Sequence, residues 1–223
     1  MTYARYILSM LLVMFSITPA FALILLHNQP TDFGTGYSSQ NDISTGGLGN
    51  FAAVYDDFTF NVSYQIDQID WFGSYYSPPQ AGPIAAWTVN FYTDTGGQPG
   101  SLCCGFVVGG TANETFLQYD SVGDPVFAYQ LNIDGCCFQA GTRYWFSLVP
   151  DLGFPPQWGW ETGTGGDGFA YQDFLGNRSQ LNSDMAFRLW GVPCGATPEP
   201  STLVMLGSGM IGLAGLLRRR LLG

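Results

Sequence analysis

Short segments that alternate strictly between apolar and polar residues, cut apart by glycine- and proline-rich turns, constrain this chain more than any other feature. In "WTVNFY", Trp87, Val89 and Phe91 fall on one face and Thr88, Asn90 and Tyr92 on the other. A period of two is the mark of a strand buried on one side. The pattern recurs: Phe58, Phe60 and Val62 alternate in "FTFNV", and "FAYQLNI" aligns Phe127, Tyr129, Leu131 and Ile133. "RYWFSLV" sets Tyr144, Phe146 and Leu148 against Trp145 and Val149, and "DMAFRLWG" sets Met185, Phe187 and Leu189 against Ala186, Arg188 and Trp190. No long amphipathic helical period lies between these segments, and no repeat of fixed length is present.

The connectors, such as "TDTGGQPGS" and "ETGTGGDG", supply glycine for positive φ and proline for fixed φ, so successive strands reverse direction. Antiparallel sheet follows. Many short strands with two partly apolar faces predict an all-β, antiparallel two-sheet sandwich of jelly-roll type, with an open barrel as the alternative. At 223 residues and 46% hydrophobic, the chain has room for one such domain plus short appendages. Residues 51–192 are the expected sandwich. Residues 23–50, rich in Gly, Ser, Thr and Asn without sustained periodicity, read as a loose leader.

The two ends have a different character. "MTYARYILSMLLVMFSITPAFA" carries one Arg, an apolar run, and then Ala20-Phe21-Ala22, the layout of a signal peptide over residues 1–22 with cleavage after Ala22. The small side chains of Ala20 and Ala22 suit the shallow pockets of the peptidase. Because "LILL" follows, an uncleaved anchor from Ile7 to Leu26 is the alternative, one that Pro19 would interrupt. At the other end, Pro198-Glu199-Pro200 lies in a linker of residues 193–201. It is followed by an apolar stretch that reads as a transmembrane helix over 202–217, and by a basic tail over 218–223 containing Arg218, Arg219 and Arg220.

Export agrees with charge and cysteine content. The chain has seven Arg, no Lys and a formal charge of −10, and all seventeen acids lie between residues 23 and 200 with only Arg143, Arg178 and Arg188 beside them. Such a surface repels nucleic acid and anionic lipid. Four of the five cysteines form adjacent pairs, Cys103-Cys104 and Cys136-Cys137. Adjacent strand residues point to opposite faces, so the pairs cannot close a tetrahedral zinc site, and two cross-strand disulfides fit an oxidising compartment better. Antiparallel matching predicts 103 with 137 and 104 with 136. The other register, vicinal bridges within each pair, and free thiols are the alternatives. Cys194 is left over.

Catalysis is poorly provided for. The one histidine, His27, lies in the expected leader, and with no lysine the serine and cysteine triads lack a base. Asp56, Asp57, Asp70, Glu161 and Asp184 are the carboxylates a glycosidase could recruit, but acids in such chains are more often turn formers, and no enzyme is expected. No cofactor is called for. Calcium is the one metal with a candidate ligand set, Asp56, Asp57 and Asp184 near the first and last strands. For glycan binding the candidates are Trp158 and Trp160 in "PPQWGWETG" and Tyr75 and Tyr76 in "GSYYSPP". Large rings in Pro- and Gly-rich segments suit sugar stacking, with core packing as the competing role of Trp158 and Trp160.

The ending resembles a PEP-CTERM sorting signal, since the Pro-Glu-Pro tripeptide, the apolar span and the arginine cluster occur in that family's order. The same kind of tail is also labelled an ice-binding protein C-terminal segment, which describes the tail and predicts no ice binding. The resemblance implies an exosortase substrate of a Gram-negative, exopolysaccharide-making bacterium, exported by the secretion machinery and held transiently in the inner membrane. It is then released to the cell surface or extracellular matrix. The expected partners are the exosortase and exopolysaccharide. "YDDFTF", "FYTDTGGQPGS", "GTRYWFSL", "WGWETG" and "DMAFRLWG" resemble the uncharacterised all-β domain often found ahead of such tails, over roughly residues 50 to 192. That domain brings no activity with it. The protein expected is therefore a non-catalytic surface or matrix protein, with a carbohydrate-binding module or a protein-contacting adhesin as alternatives.

Overall fold

The computed structural model describes residues 22–195 and the isolated helical positions 207, 209 and 210. The expected signal peptide with Ala20, the linker from residue 196 with Pro198, Glu199 and Pro200, the membrane helix and Arg218 to Arg220 lie outside the described residues. Among the described residues no helix is long and apolar enough to cross a membrane.

Residues 24–193 form fifteen strands: β1 Ile24–Gln29, β2 Thr31–Ser38, β3 Gln40–Asp42, β4 Gly49–Thr59, β5 Tyr64–Tyr76, β6 Ala86–Asp94, β7 Pro99–Gly109, β8 Thr115–Tyr119, β9 Pro125–Phe138, β10 Arg143–Asp151, β11 Gln157–Gly163, β12 Ala170–Phe174, β13 Asn177–Leu181, β14 Asp184–Met185 and β15 Phe187–Pro193. They pair into two sheets. The eight-stranded sheet runs β1-β15-β5-β11-β14, with β2 on β11, β9 on β5 and β8 on β9. The seven-stranded sheet runs β13-β12-β4-β3-β10-β6-β7, with β4 also pairing β10. Every pairing is antiparallel except the single contact of β3 with β10. The all-β, two-sheet expectation holds. The strand count exceeds the eight of a simple jelly roll, because long strands such as β5 pair with several shorter ones in turn.

One core joins the sheets. Val54, Phe58, Trp87, Val89, Phe91, Phe146 and Leu148 of the seven-stranded sheet meet Ile69, Trp71, Tyr129, Trp158, Trp160, Phe187 and Leu189 of the other. The aromatic contacts cross the interface edge to face, as ring quadrupoles favour. Trp71 and Trp87 centroids are 4.7 Å apart, Trp87 and Trp158 5.0 Å, and Phe146 and Phe187 4.5 Å. Gly73 makes room for this layer, since a Cβ there would run into the Trp158 indole.

The stretch read as a leader is corrected. It contains β1, β2 and β3, which pair with β15, β11 and β4. Leu26 of β1 and Tyr37 of β2 pack against the core, but no sustained apolar–polar alternation runs through these segments, so side-chain periodicity does not reveal them. His27 is correspondingly ordered, stacked on Phe187 with centroids 4.9 Å apart and with Nε2 2.6 Å from Gln29 Oε1. Burial pushes its imidazole below the usual histidine range.

The disulfides are Cys104–Cys136 and Cys137–Cys194, with Cys103 free and exposed. The 104–136 match of the expected register is present. The 103–137 match is not, and Cys194 is not left over. The reason is that β7 and β9 belong to different sheets. Cys104 and Cys136 both turn toward the core and meet between the sheets, so their neighbours Cys103 and Cys137 point outward from opposite sheets. Cys137 instead finds Cys194, just beyond β15.

Candidate polar groove on the outer sheet face

Alternation that buries one face of the seven-stranded sheet presents the other. Opposite the core residues, β6 carries Thr88, Asn90 and Tyr92, β10 carries Trp145, Ser147 and Val149, and β4 carries Ala53 and Tyr55. The register aligns them into rows. Tyr171 of β12 lies opposite Tyr55, Tyr55 opposite Ser147, and Ser147 opposite Asn90, with Gly105 of β7 beyond. A Cβ at 105 would collide with the Asn90 amide, so glycine there lets that side chain lie across the sheet.

Two recesses follow this face. One, of about 510 Å³, is lined by Asn50, Phe51, Ala53, Tyr55, Asp173, Gly176 and Arg178. The other, of about 150 Å³, is lined by residues including Asn41, Asn50, Ala53, Tyr55, Asn90 and Tyr92. Sharing Asn50, Ala53 and Tyr55, they lie side by side along this face and are together called the groove.

Its side chains are held in place by their own contacts. Arg178 grips Asp173 through Nε to Oδ1 at 2.7 Å and Nη2 to Oδ2 at 2.8 Å, while its Nη1 donates to the Pro99 carbonyl at 3.0 Å. The guanidinium lies 5.2 Å from the Tyr55 ring centroid, and the Tyr55 hydroxyl donates to Asp173 Oδ2 at 3.1 Å. The bidentate pair holds the Asp173 carboxyl below its ordinary range, and burial raises the Tyr55 phenol. Tyr55 and Tyr92 meet edge to face at 5.4 Å, as do Trp145 and Tyr171. Trp145 Nε1 donates to Asp94 Oδ1 at 2.8 Å. The groove is thus an aromatic floor with amides and hydroxyls at its sides, its one cation already matched by a carboxylate.

The structure places the expected glycan platform elsewhere. Trp158, Trp160 and Tyr75 are fully buried in the core, with Trp158 Nε1 donating to Tyr129 Oη at 3.1 Å and Trp160 Nε1 to the Ala186 carbonyl at 2.9 Å. They are packing residues and cannot stack on a ligand. Tyr76 is half-buried, its hydroxyl 2.6 Å from Ser38 Oγ. The aromatics that line the groove, Phe51, Tyr55 and Tyr92, were not singled out by sequence reasoning, and Trp145 is buried behind them. The signal of Tyr92 was present in the second face of β6, which is aromatic and amide-bearing rather than charged.

The calcium ligand set is also corrected. Asp56 is buried, and its carboxylate is saturated by N–H donors: Oδ2 accepts from Gln29 Nε2 at 2.7 Å and from the Met185 amide at 2.6 Å, and Oδ1 from the Asp57 amide at 2.7 Å. Burial raises its pKa well above the ordinary value against the pull of these donors. Asp184 caps the 166–168 turn, accepting from the Gly166 and Gly168 amides at 2.9 and 2.6 Å. Asp57 is ion-paired with Arg143 at 3.3 Å, and burial pushes its pKa up to about 6. Among the described residues no three His, Cys, Asp or Glu side chains converge as a cation site.

The remaining carboxylates are dispersed. Asp70 accepts from Trp190 Nε1 at 2.8 Å and lines a separate recess beside Phe72 and Arg188. Glu161 is fully buried on β11, both oxygens without a donor in hydrogen-bond geometry, and burial raises its pKa to about 7. None of Asp56, Asp57, Asp70, Glu161 and Asp184 lines the groove.

Comparison with known proteins identifies the C-terminal segment. Residues 196–220 match the PEP-CTERM protein-sorting motif. No curated protein and no solved structure matches the chain.

Proposed function

From the sorting motif at residues 196–220, we propose that this chain is an exported protein, processed by an exosortase and delivered to the cell surface or extracellular matrix of an exopolysaccharide-making Gram-negative bacterium. The motif carries the reading. Proline, as at positions 198 and 200, favours an extended chain that a processing enzyme can reach, Glu199 offers the one charge there, and Arg218 to Arg220 fit the cytoplasmic side of a positive-inside segment. The span over 202–217 is short for a permanent anchor, at about 1.5 Å per helical residue. It therefore serves as a transient inner-membrane intermediate. Two disulfides and a strongly acidic body support the same destination.

The sandwich delivered there is non-catalytic. A single histidine paired with Gln29, no lysine, and carboxylates engaged in turns, ion pairs or burial leave no assembled acid–base pair at the groove. The groove favours a second, compatible reading, that the sandwich is a binding module for extracellular glycan.

Expression in an exosortase-bearing host tests the sorting reading. Glu199→Ala accumulates as full-length protein in the inner-membrane fraction while wild type is released. Release of the variant at the wild-type rate contradicts it.

A further inference from the structure

We propose that the groove across the outer face of the seven-stranded sheet binds an uncharged segment of polysaccharide, with Tyr92 and Asn90 at the centre of the contact. The export reading supplies only the source of the ligand, the surrounding matrix. The site itself rests on the geometry of the sheet.

Length is the first argument. The groove runs across the strands from Arg178 on β13 through Asp173 on β12, Tyr55 on β4 and Ser147 on β10 to Asn90 on β6. Four strand spacings make about 19 Å, room for several sugar rings in a row. Its volume of about 510 Å³ in the larger recess alone falls within the range of ligand sites.

Chemistry is the second. A pyranose has apolar C–H faces and a rim of hydroxyls that both donate and accept. The half-exposed Tyr92 ring suits the faces, with the buried Tyr55 packed edge to face against it. Amides and hydroxyls, each with donor and acceptor capacity, suit the rim, and Asn50, Asn90 and Thr88 bring them to this face. Gly105 leaves the Asn90 amide room to lie across the sheet.

Charge selects among glycans. The only cation in the groove, Arg178, is engaged by Asp173 in a bidentate pair. The surrounding body, residues 23–194, carries sixteen acids against three arginines, so uronate- or phosphate-bearing polymers are repelled. A protein partner would favour an apolar patch. The exposed apolar residues Phe116, Leu117, Tyr119 and Val122 lie on and beside β8, in the other sheet.

Affinity electrophoresis of the released protein tests this, with hydroxyethylcellulose, dextran and galactomannan as neutral probes and alginate as the anionic one. At least one neutral polymer retards the wild type and alginate does not. Tyr92→Ala and Asn90→Ala each weaken retardation roughly tenfold or more, with thermal melts confirming that the variants fold. Gly105→Ala, which displaces the Asn90 amide without removing a groove side chain, weakens it as well. The proposal is overturned by the absence of retardation in all three neutral polymers, by retardation in alginate, or by retardation that survives Tyr92→Ala and Asn90→Ala. Retardation abolished by Phe116→Ser would move the site to β8 and overturn it too. Secreted protein that retained Arg218 to Arg220 would overturn the sorting reading and leave this result standing.

Discussion

The two faces of the seven-stranded sheet are built from alternate residues of the same strands, yet they differ in nearly every physical respect. On β6, Trp87, Val89 and Phe91 are fully buried against the opposite sheet, whereas Thr88, Asn90 and Tyr92 remain half-exposed over the groove. On β10, Phe146 and Leu148 belong to the core between the sheets, while Trp145 and Val149 join Ala53 and Tyr55 in a second, smaller cluster that is itself buried on the other face. The inner face is shaped by dispersion and by exclusion of water. The outer keeps polar groups that burial without partners would penalise. At positions 88, 90 and 92, β6 carries threonine, asparagine and tyrosine outward.

The sharpest break in this contrast is truncation of a core ring. Trp87→Ala removes a residue that touches Trp71, Tyr129 and Trp158, and we predict a loss of about 3 to 5 kcal/mol in urea unfolding. A loss below 1 kcal/mol would mean that the two sheets do not pack as described.

Next in size is the bridge between the faces. Cys104–Cys136 closes a loop with sequence separation 32 and links β7 of one sheet to β9 of the other. Cys104→Ser is predicted to cost about 3 to 4 kcal/mol in the chain-entropy account, whereas Cys103→Ser, at the free and exposed thiol, leaves the melting curve nearly unchanged. Equal effects from the two substitutions would contradict the assigned pairing. Peptide mapping without reduction checks it directly.

A third test concerns the opposite sheet, where a polar outer face has been covered. Gly36 lies opposite Glu161, and a Cβ there would fall 2.6 Å from Ser74 Oγ and 3.3 Å from Glu161 Oε1. Burial, with the charges of Asp120, Asp32 and Asp124 adding to it, raises the Glu161 carboxyl to about 7 from an ordinary 4.5. The folded state therefore holds a proton that the unfolded chain has released. This contribution is fully present below pH 4.5, declines between 4.5 and 7, and is gone above. Its size is about 3 kcal/mol. Asp57, raised to about 6 from 3.8, acts in the same direction over a lower window. Glu161→Gln flattens the upper part of the profile, so the gap between denaturant melts at pH 5 and pH 8 is wider for wild type than for the variant, which keeps the smaller share due to Asp57. A wild type more stable at pH 8 than at pH 5 would refute the assignment.

The smallest effect on stability belongs to the groove. Tyr92→Ala, on a half-exposed ring, is predicted to cost no more than about 1 kcal/mol while removing polysaccharide retardation. A loss comparable to that of Trp87→Ala would place Tyr92 in the packing and remove the contrast between the faces.

Legibility in the sequence followed the same division. Strands with one dry face announced themselves, because alternation in "WTVNFY", "RYWFSLV" and "DMAFRLWG" is imposed by burial. The sense of that alternation was less accessible. The spacing of Trp158 and Trp160 places both on one side of β11, but nothing in "PPQWGWETG" tells whether that side meets the core or the solvent, and the fold turns both inward. Strands β1 to β3 were invisible because none of ILLHNQ, TDFGTGYS and QND carries a sustained apolar–polar alternation. The disulfide partners followed from which residue of each adjacent pair faces inward, and that depends on sheet membership rather than on spacing. The groove needs five strands from distant parts of the chain, so no local stretch contains it. The sorting motif was fully legible, since a signal read by another protein is written in contiguous residues.

Intact-mass analysis of the protein released by an exosortase-bearing host tests the central claim most directly. The predicted mass corresponds to a chain that begins at Leu23, keeps both disulfides and ends near Pro198 to Pro200, with Leu203 to Gly223 absent. A released or surface form that retains Arg218 to Arg220 would contradict it.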